Sequence, residues 1–157
     1  MKKRVYVETT VVSYLTARSS RDLIRAARQE LTREWWERRR ENFGLFASQL
    51  VLEESGAGDA EAAKRRLEAL QDVSLLDMRR EVGELAVALI EDGPLPPAAG
   101  GDSIHLALAA VYDMDFLLTW NCRHLANAEL SGPVADFLRA RGYRPPIVCT
   151  PEELMGE

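Results

Sequence analysis

Three separated stretches of the chain set carboxylates or a polar amide against apolar runs. Glu8 closes "RVYVE", Glu53 and Glu54 follow the apolar residues of "LFASQLVLEES", and Asp102 and Asn121 stand at the two ends of "DSIHLALAAVYDMDFLLTWN". Each has an ordinary explanation on its own. An Asp at the head of a helix is a favoured cap, and a pair of glutamates is usually a solvated helix surface. Carboxylates that converge repel one another and resist losing water. A divalent cation relieves both penalties, and an all-oxygen donor set favours Mg²⁺ or Mn²⁺. The chemistry therefore depends on whether the chain brings these residues to one place.

The elements that would position them alternate. "RVYVE" (4–8) is a short β-rich run, and "TTVVSYLTA" can start a helix. Residues 20–42 read as a long helix, with Leu23, Ile24, Ala27, Leu31 and Trp35 at helical spacing and Ser19, Ser20 or Asp22 available as a cap. "GLFAS" (44–48) is a strand, followed by the helix "QLVLEES" ending near Gly56, the helix "GDAEAAKRRLEAL", a short strand "VSLLD" and the helix "REVGELAVALIED". "GPLPPAAGG" (93–101) reads as a loop. A buried helix from residue 102, the strand "DFLLTW", a helix "PVADFLRARG" and a strand "IVCT" complete the chain. Strands alternating with helices predict an α/β fold of three layers. Its core would be a mainly parallel twisted sheet of about four to five strands, with helices on both faces, in one domain over residues 1–157.

In such sheets, ligands gather beyond the carboxyl ends of the strands. Glu8 ends the first strand and Asn121 follows the fourth, so both are expected at that rim. Glu53 and Glu54 lie on a helix that starts there, and Asp102 opens another, with His105, Leu106 and Ala109 on its side of the helix. Asp115 precedes its strand and belongs at the opposite rim, where it and Asp113 read as turn residues.

Composition excludes some classes. Of 157 residues, 46% are hydrophobic and 29% charged, as in a soluble globular domain, and no apolar run is long enough to span a bilayer. A cytoplasmic location is expected, with Cys122 and Cys149 as reduced thiols in no metal-binding spacing. The net charge of −5 argues against a strongly basic nucleic-acid binder, but the charge is uneven. Residues 1–44 carry 11 Lys/Arg against 6 Asp/Glu, and the remainder carries 9 against 19. A basic arm beside an acidic body suits a polyanion held near a metal-filled pocket, although the same pattern is common on solvated helices.

The acids in this order resemble the PIN-domain ribonucleases, and most closely the VapC toxins of type II toxin–antitoxin pairs. "VYVETTVVSYL" resembles the family's opening strand, where small hydroxyl residues follow an acid. "SQLVLEES" resembles the helix of the second acid, and its alignment favours Glu54 over Glu53. "GGDSIHLALAAVYDMDFLLTWNCRHLAN" resembles the third acid, its apolar helix and the strand ending at the fourth position. The resemblance spans nearly the whole chain. It implies a metal-dependent endoribonuclease in which Glu8, Glu54, Asp102 and Asn121 hold Mg²⁺ or Mn²⁺, directly or through water. It also implies RNA as substrate, a small antitoxin as partner and a homodimer. Two positions depart from the usual pattern: Glu8 stands where Asp is usual, and Asn121 where Asp is frequent. A neutral amide leaves less negative charge for a second metal, and these departures sustain the alternative of a catalytically degenerate PIN-like module that binds RNA or protein.

Supporting roles fall to Thr10 and Thr119 through their hydroxyls, and to His105 and His124, which can orient a carboxylate or touch a phosphate. Simple packing or turn formation is the competing account of all four. Trp120 beside the site reads more readily as packing than as a base stack. Of the adjacent Trp35 and Trp36, only one can face a given core.

Overall fold

Residues 1–156 are described by a computed structural model. Among them, five strands and seven α-helices follow in the order β1 (Lys3–Val7), α1 (Thr9–Thr16), α2 (Leu23–Arg38), β2 (Phe43–Ser48), α3 (Gln49–Ser55), α4 (Ala60–Ala69), β3 (Ser74–Leu76), α5 (Arg80–Glu91), α6 (Gly100–Val111), β4 (Phe116–Leu118), α7 (Ala128–Ala140) and β5 (Ile147–Cys149). Short 3-10 turns cover Arg40–Asn42 and Pro97–Ala99.

The strands form a single sheet in the order β3-β2-β1-β4-β5, and every neighbouring pair is parallel. Parallel strands need crossovers, and crossovers are almost always right-handed. The chain moves from β1 to β2 to β3 in one direction, so α1–α4 cover one face. It then returns over the sheet to β4 and β5, which puts α5–α7 on the other. The strand order reverses at β1, between β2 and β4. This switch point opens a crevice at the carboxyl ends of β1 and β4, the place where parallel α/β sheets bind ligands.

β1 is the central strand, and Val5, Tyr6 and Val7 are wholly buried. Burial of each aliphatic side chain there contributes about 1.5–3 kcal/mol. α6 is nearly as enclosed: Ser103 and every residue from His105 to Ala110 are buried. Its apolar sequence is therefore that of a helix surrounded by protein, packed against α5 and the sheet.

Several sequence boundaries shift. The long second helix ends at Arg38, and Asp22 caps its start by accepting from Arg25 N–H at 2.8 Å. Of the apolar stripe expected to face inward, Trp35 is buried and Leu31 packs partly against the core. Leu23 and Ile24 are 85% and 68% exposed, while Gln29 and Thr32 are buried. Those polar groups are satisfied. Gln29 donates to the Arg18 carbonyl and accepts from Ser20 N–H, and Thr32 accepts from the Trp120 indole. Hydrophobic spacing cannot register polar residues that are buried by bonding across a loop. Trp36, by contrast, is half-buried with the Arg40 guanidinium over its ring, 4.4 Å from the centroid.

The segment read as a loop over 93–101 contains the Pro97–Ala99 turn and the first two residues of α6. Gly100 and Gly101 occupy a helix's first turn, whose N–H groups have no intrahelical partner in any case. β4 is also shorter than "DFLLTW", since ladder pairing stops at Leu118. α7 starts at Ala128, with Asn127 as cap and Pro133 inside the helix. Cys122 and Cys149 are free thiols, and burial pushes the Cys149 pKa up to about 12.

Asp115 stands just before β4, at the amino rim. Its carboxylate accepts from Arg4 N–H at 2.8 Å and faces Arg144 at 3.3 Å. The Arg4 N–H is the main cause that holds its pKa below the usual carboxylate range, against a smaller opposing effect of burial. A carboxyl with a depressed folded-state pKa adds stability above its unfolded pKa, and that stability is lost as pH falls through the folded value. Asp115→Asn is therefore expected to flatten the decline of melting temperature below about pH 4. In a nuclease assay the same variant should stay within a few-fold of wild type. A cleavage loss as large as that of Asp102→Asn would place the site at the wrong rim.

Candidate metal centre

Glu8 is the residue where β1 ends and α1 begins. Its backbone N–H continues the ladder to the Leu118 carbonyl, and its side chain caps α1 by accepting from Thr10 N–H at 3.0 Å. Glu8 as a whole is only 4% exposed. Oε1 accepts from two hydroxyls, Thr10 and Thr119, each at 2.5 Å. Both hydroxyls accept a backbone N–H in turn, Thr10 from Trp120 at 2.8 Å and Thr119 from Asn121 at 2.9 Å. The end of β4 is thereby fastened to the end of β1 through Glu8, across the switch point. Oε1 is saturated by these bonds, while Oε2 carries only the Thr10 N–H.

Glu54 comes from α3, which starts at the carboxyl end of β2, with Ser48 as its cap. Its Oε1 accepts from the Thr9 hydroxyl at 2.6 Å and lies 2.7 Å from His105 Nε2. Burial pushes its pKa up, and the hydrogen bonds from His105 and Thr9 more than reverse this, leaving it lowered. No hydrogen bond from the described residues reaches Oε2. It lies where a Cβ on Gly101 would be 3.5 Å away, so the first turn of α6 passes directly beside it. Glu53, the other acid of the pair, is exposed and makes no side-chain hydrogen bond among the described residues.

Ligand atoms of Glu8, Glu54 and His105 lie within 4.8 Å of one another. Two carboxylates that each keep a lone pair on Oε2, Glu8 beside its single Thr10 N–H and Glu54 with no hydrogen bond there from the described residues, form a donor set that fits a hard divalent cation. His105 contributes less to it, since both ring nitrogens already have partners, Glu54 on one side and Tyr6 on the other.

Asp102 is the third residue of α6 and caps nothing; α6 has no side-chain cap. Oδ1 accepts from the Asn121 amide at 2.9 Å, and Oδ2 lies 2.8 Å from His124 Nδ1. The Asn121 carbonyl oxygen accepts from the N–H groups of Arg123 and His124, closing the turn after β4. The Asn121 side chain is thus engaged at both ends, its amide on Asp102 and its oxygen on backbone. Asp102 belongs to this second group, Asp102–Asn121–His124, and is not one of the three residues clustered within 4.8 Å. Each of its oxygens keeps one lone pair free.

The eight residues singled out from the sequence therefore form two adjoining hydrogen-bonded groups. Glu8, Thr10 and Thr119 with Glu54 and His105 make one; Asp102, Asn121 and His124 make the other, joined through the backbone at 119–121. Three contributors escaped the sequence reading: Thr9, Tyr6 and Ser48. Tyr6 offered a signal, because a tyrosine inside a fully buried strand must find a partner for its hydroxyl. Trp120 is buried, with its indole N–H on Thr32 at 2.7 Å, and does not stack openly. The Arg28 guanidinium lies over its ring at 5.2 Å, which brings the basic helix α2 alongside the end of β4.

The architecture is PIN-like: a parallel five-stranded α/β sandwich with acids at the switch point of the sheet. Three solved structures share it over nearly their whole length. They are VapBC2 from Rickettsia felis bound to a promoter DNA fragment (15% identity, TM-score 0.59, 94% of this chain and 98% of that one); Mycobacterium tuberculosis VapC20, a toxin that cleaves the sarcin–ricin loop (13%, 0.56, 88% and 95%); and VapBC-1 from nontypeable Haemophilus influenzae (17%, 0.53, 95% and 98%). At these identities the likeness establishes the fold. No protein-family model and no curated relative matches the sequence.

Proposed function

We propose that the protein is a metal-dependent endoribonuclease, the toxin of a toxin–antitoxin pair. The observation that carries this reading is the approach of Glu8, Glu54 and His105 ligand atoms to within 4.8 Å of one another at the switch point, with the Asp102 group adjoining. Glu8 and Glu54 hold a Mg²⁺ or Mn²⁺ ion, and Asp102 reaches it directly or through water. The bound ion supplies an activated water and neutralises charge on the phosphoryl oxygens. The protein's own groups do the rest. Thr10 and Thr119 fix the Glu8 carboxylate, Asn121 and His124 fix Asp102, and α2 offers arginines to the RNA backbone. The solved toxins of the same fold support this reading, as does the resemblance of the sequence segments.

Purified, partner-free protein is expected to cut RNA with Mg²⁺ or Mn²⁺ and to leave it intact in EDTA. RNA left whole with either ion favours the second reading, a PIN-like binding module. That reading draws on Glu8 and Asn121 standing where Asp is usual. Among the described residues no helix is long and apolar enough to cross a membrane.

An antitoxin and a homodimer belong to the same proposal. An inhibitor that sets an arginine among the site carboxylates replaces the cation by charge-assisted hydrogen bonds. Partner and metal should then compete, with calorimetric Mn²⁺ affinity at least about ten-fold weaker in the complex, or ~1.4 kcal/mol. Equal affinity in both forms rejects this mode of inhibition and leaves the nuclease standing. Sedimentation of the partner-free chain decides the dimer.

A further inference from the structure

Behind Glu54 runs a chain of buried polar contacts that ends on the backbone. Glu54 Oε1 lies 2.7 Å from His105 Nε2; His105 Nδ1 lies 2.6 Å from the Tyr6 hydroxyl; that hydroxyl lies 2.7 Å from Ser48 Oγ; and Ser48 Oγ accepts from Val51 N–H at 3.3 Å. Tyr6, Ser48 and His105 are each at most 1% exposed, so water cannot complete their bonding. The four side chains come from α3, α6, β1 and the end of β2, so the relay threads both layers of helices through the sheet.

The donor inventory fixes its direction. A carboxylate only accepts, so His105 Nε2 must carry the proton toward Glu54. In a neutral imidazole Nδ1 is then an acceptor, and Tyr6 must donate to it. With its hydrogen given away, Tyr6 accepts from Ser48, whose oxygen takes the Val51 N–H. Every hydrogen in the path has an acceptor. In the reverse polarity Tyr6 donates to Ser48, and the buried serine hydrogen loses its acceptor, a cost of about 1–3 kcal/mol. Burial also pushes the Tyr6 pKa well up, which keeps its donor hydrogen in place.

We infer that Tyr6 and Ser48 lock His105 as the Nε2–H tautomer, and that His105 thereby acts as a positioning residue for Glu54 rather than as a metal ligand. The relay pins Glu54 Oε1, together with Thr9, so that Oε2 alone is presented to the site. Tyr6, which makes no hydrogen bond to Glu54, is thus coupled to the metal-binding oxygen. The part of the inference that concerns the metal rests on the nuclease reading; the tautomer does not.

The test has two readouts. The chain has only two histidines, so long-range ¹H–¹⁵N spectra of the metal-free protein, assigned with His105→Gln, report the His105 ring directly. Wild type is expected to show protonated Nε2 and an acceptor Nδ1, Glu54→Ala to keep that tautomer through Tyr6 and Ser48, and Glu54→Ala combined with Tyr6→Phe to show a mixture of tautomers. A protonated Nδ1 in wild type, alone or with Nε2, overturns the lock. So does a mixture in Glu54→Ala alone, or a tautomer unchanged in Glu54→Ala combined with Tyr6→Phe. The second readout is Mn²⁺ affinity by electron paramagnetic resonance. Tyr6→Phe should weaken it by about ten-fold or more, the scale on which partners behind a ligand act. His105→Gln, which keeps an N–H toward Glu54, should retain more affinity than His105→Phe. Equal loss in both folded variants makes His105 a ligand and overturns its positioning role. Wild type that shows the expected tautomer but binds no Mn²⁺ overturns the metal reading and the positioning role, while the lock stands.

Discussion

Glu54→Gln is expected to lower metal-supported RNA cleavage by at least about 10²–10³-fold, the scale on which removing one preorganised electrostatic group acts. The hydrogen bonds of the site dictate how the amide must sit. Thr9 and His105 both donate to Glu54 Oε1, so the glutamine oxygen has to take that place. Its NH₂ group is then forced into the position of Oε2, where it presents two hydrogens to the cation. The substitution thus removes a charge and points a donor at the metal. It leaves the bonds to Thr9 and His105 intact, so the metal-free melting temperature in EDTA should move by only a few degrees, on a scale of about 2–4 °C per kcal/mol for a chain of this size. Single-turnover cleavage with Mn²⁺ and melting in EDTA measure the two halves. Cleavage within ten-fold of wild type removes Glu54 from the metal site.

The fold was legible where one physical rule dominates. Val5–Val7 of β1 and the apolar helix α6 are buried on nearly all sides, so their uninterrupted apolar sequence marks them whatever the context. Strand–helix alternation then gave the parallel sheet, and the rule for carboxyl ends sorted Glu8 and Asn121 from Asp115. The shortfalls occur where polar atoms settle the matter. Gln29 and Thr32 displace Leu23 and Ile24 from the inner face of α2 because each finds a partner across the chain. The start of α6 was hidden by its two glycines. The convergence of the candidate residues at one rim was legible, but not the network that joins them. Sequence spacing brings Asp102 and Asn121 to one rim, yet only side-chain geometry shows that the amide bonds to Asp102 while its oxygen is spent on the following turn. Tyr6 and Ser48 act through a third residue and leave no spacing signal.

Asp102→Asn and Asp102→Ala are expected to separate two duties of one carboxylate. In the first duty Asp102 holds the turn after β4, accepting the Asn121 amide on Oδ1 and meeting His124 on Oδ2. Asparagine can keep the first contact through its oxygen and offer its NH₂ to a ring nitrogen of His124, so the metal-free melting temperature of Asp102→Asn should be unchanged or slightly raised, since a like charge near Glu8 and Glu54 is gone. Alanine leaves the half-buried Asn121 amide without its partner and should cost about 1–3 kcal/mol. In the second, proposed duty Asp102 serves the cation, and there both substitutions are expected to fail alike. A ligand that binds only the folded state stabilises it in proportion to its affinity, so the rise in melting temperature produced by Mn²⁺ should largely vanish in both variants. Cleavage should fall by about two or more orders of magnitude in both. Melting curves in EDTA and in Mn²⁺ for wild type and the two variants distinguish the duties without reference to RNA. If Mn²⁺ raises all three melting temperatures equally and Asp102→Asn still cuts, Asp102 serves only to hold Asn121 and His124. The metal then rests on Glu8 and Glu54 alone.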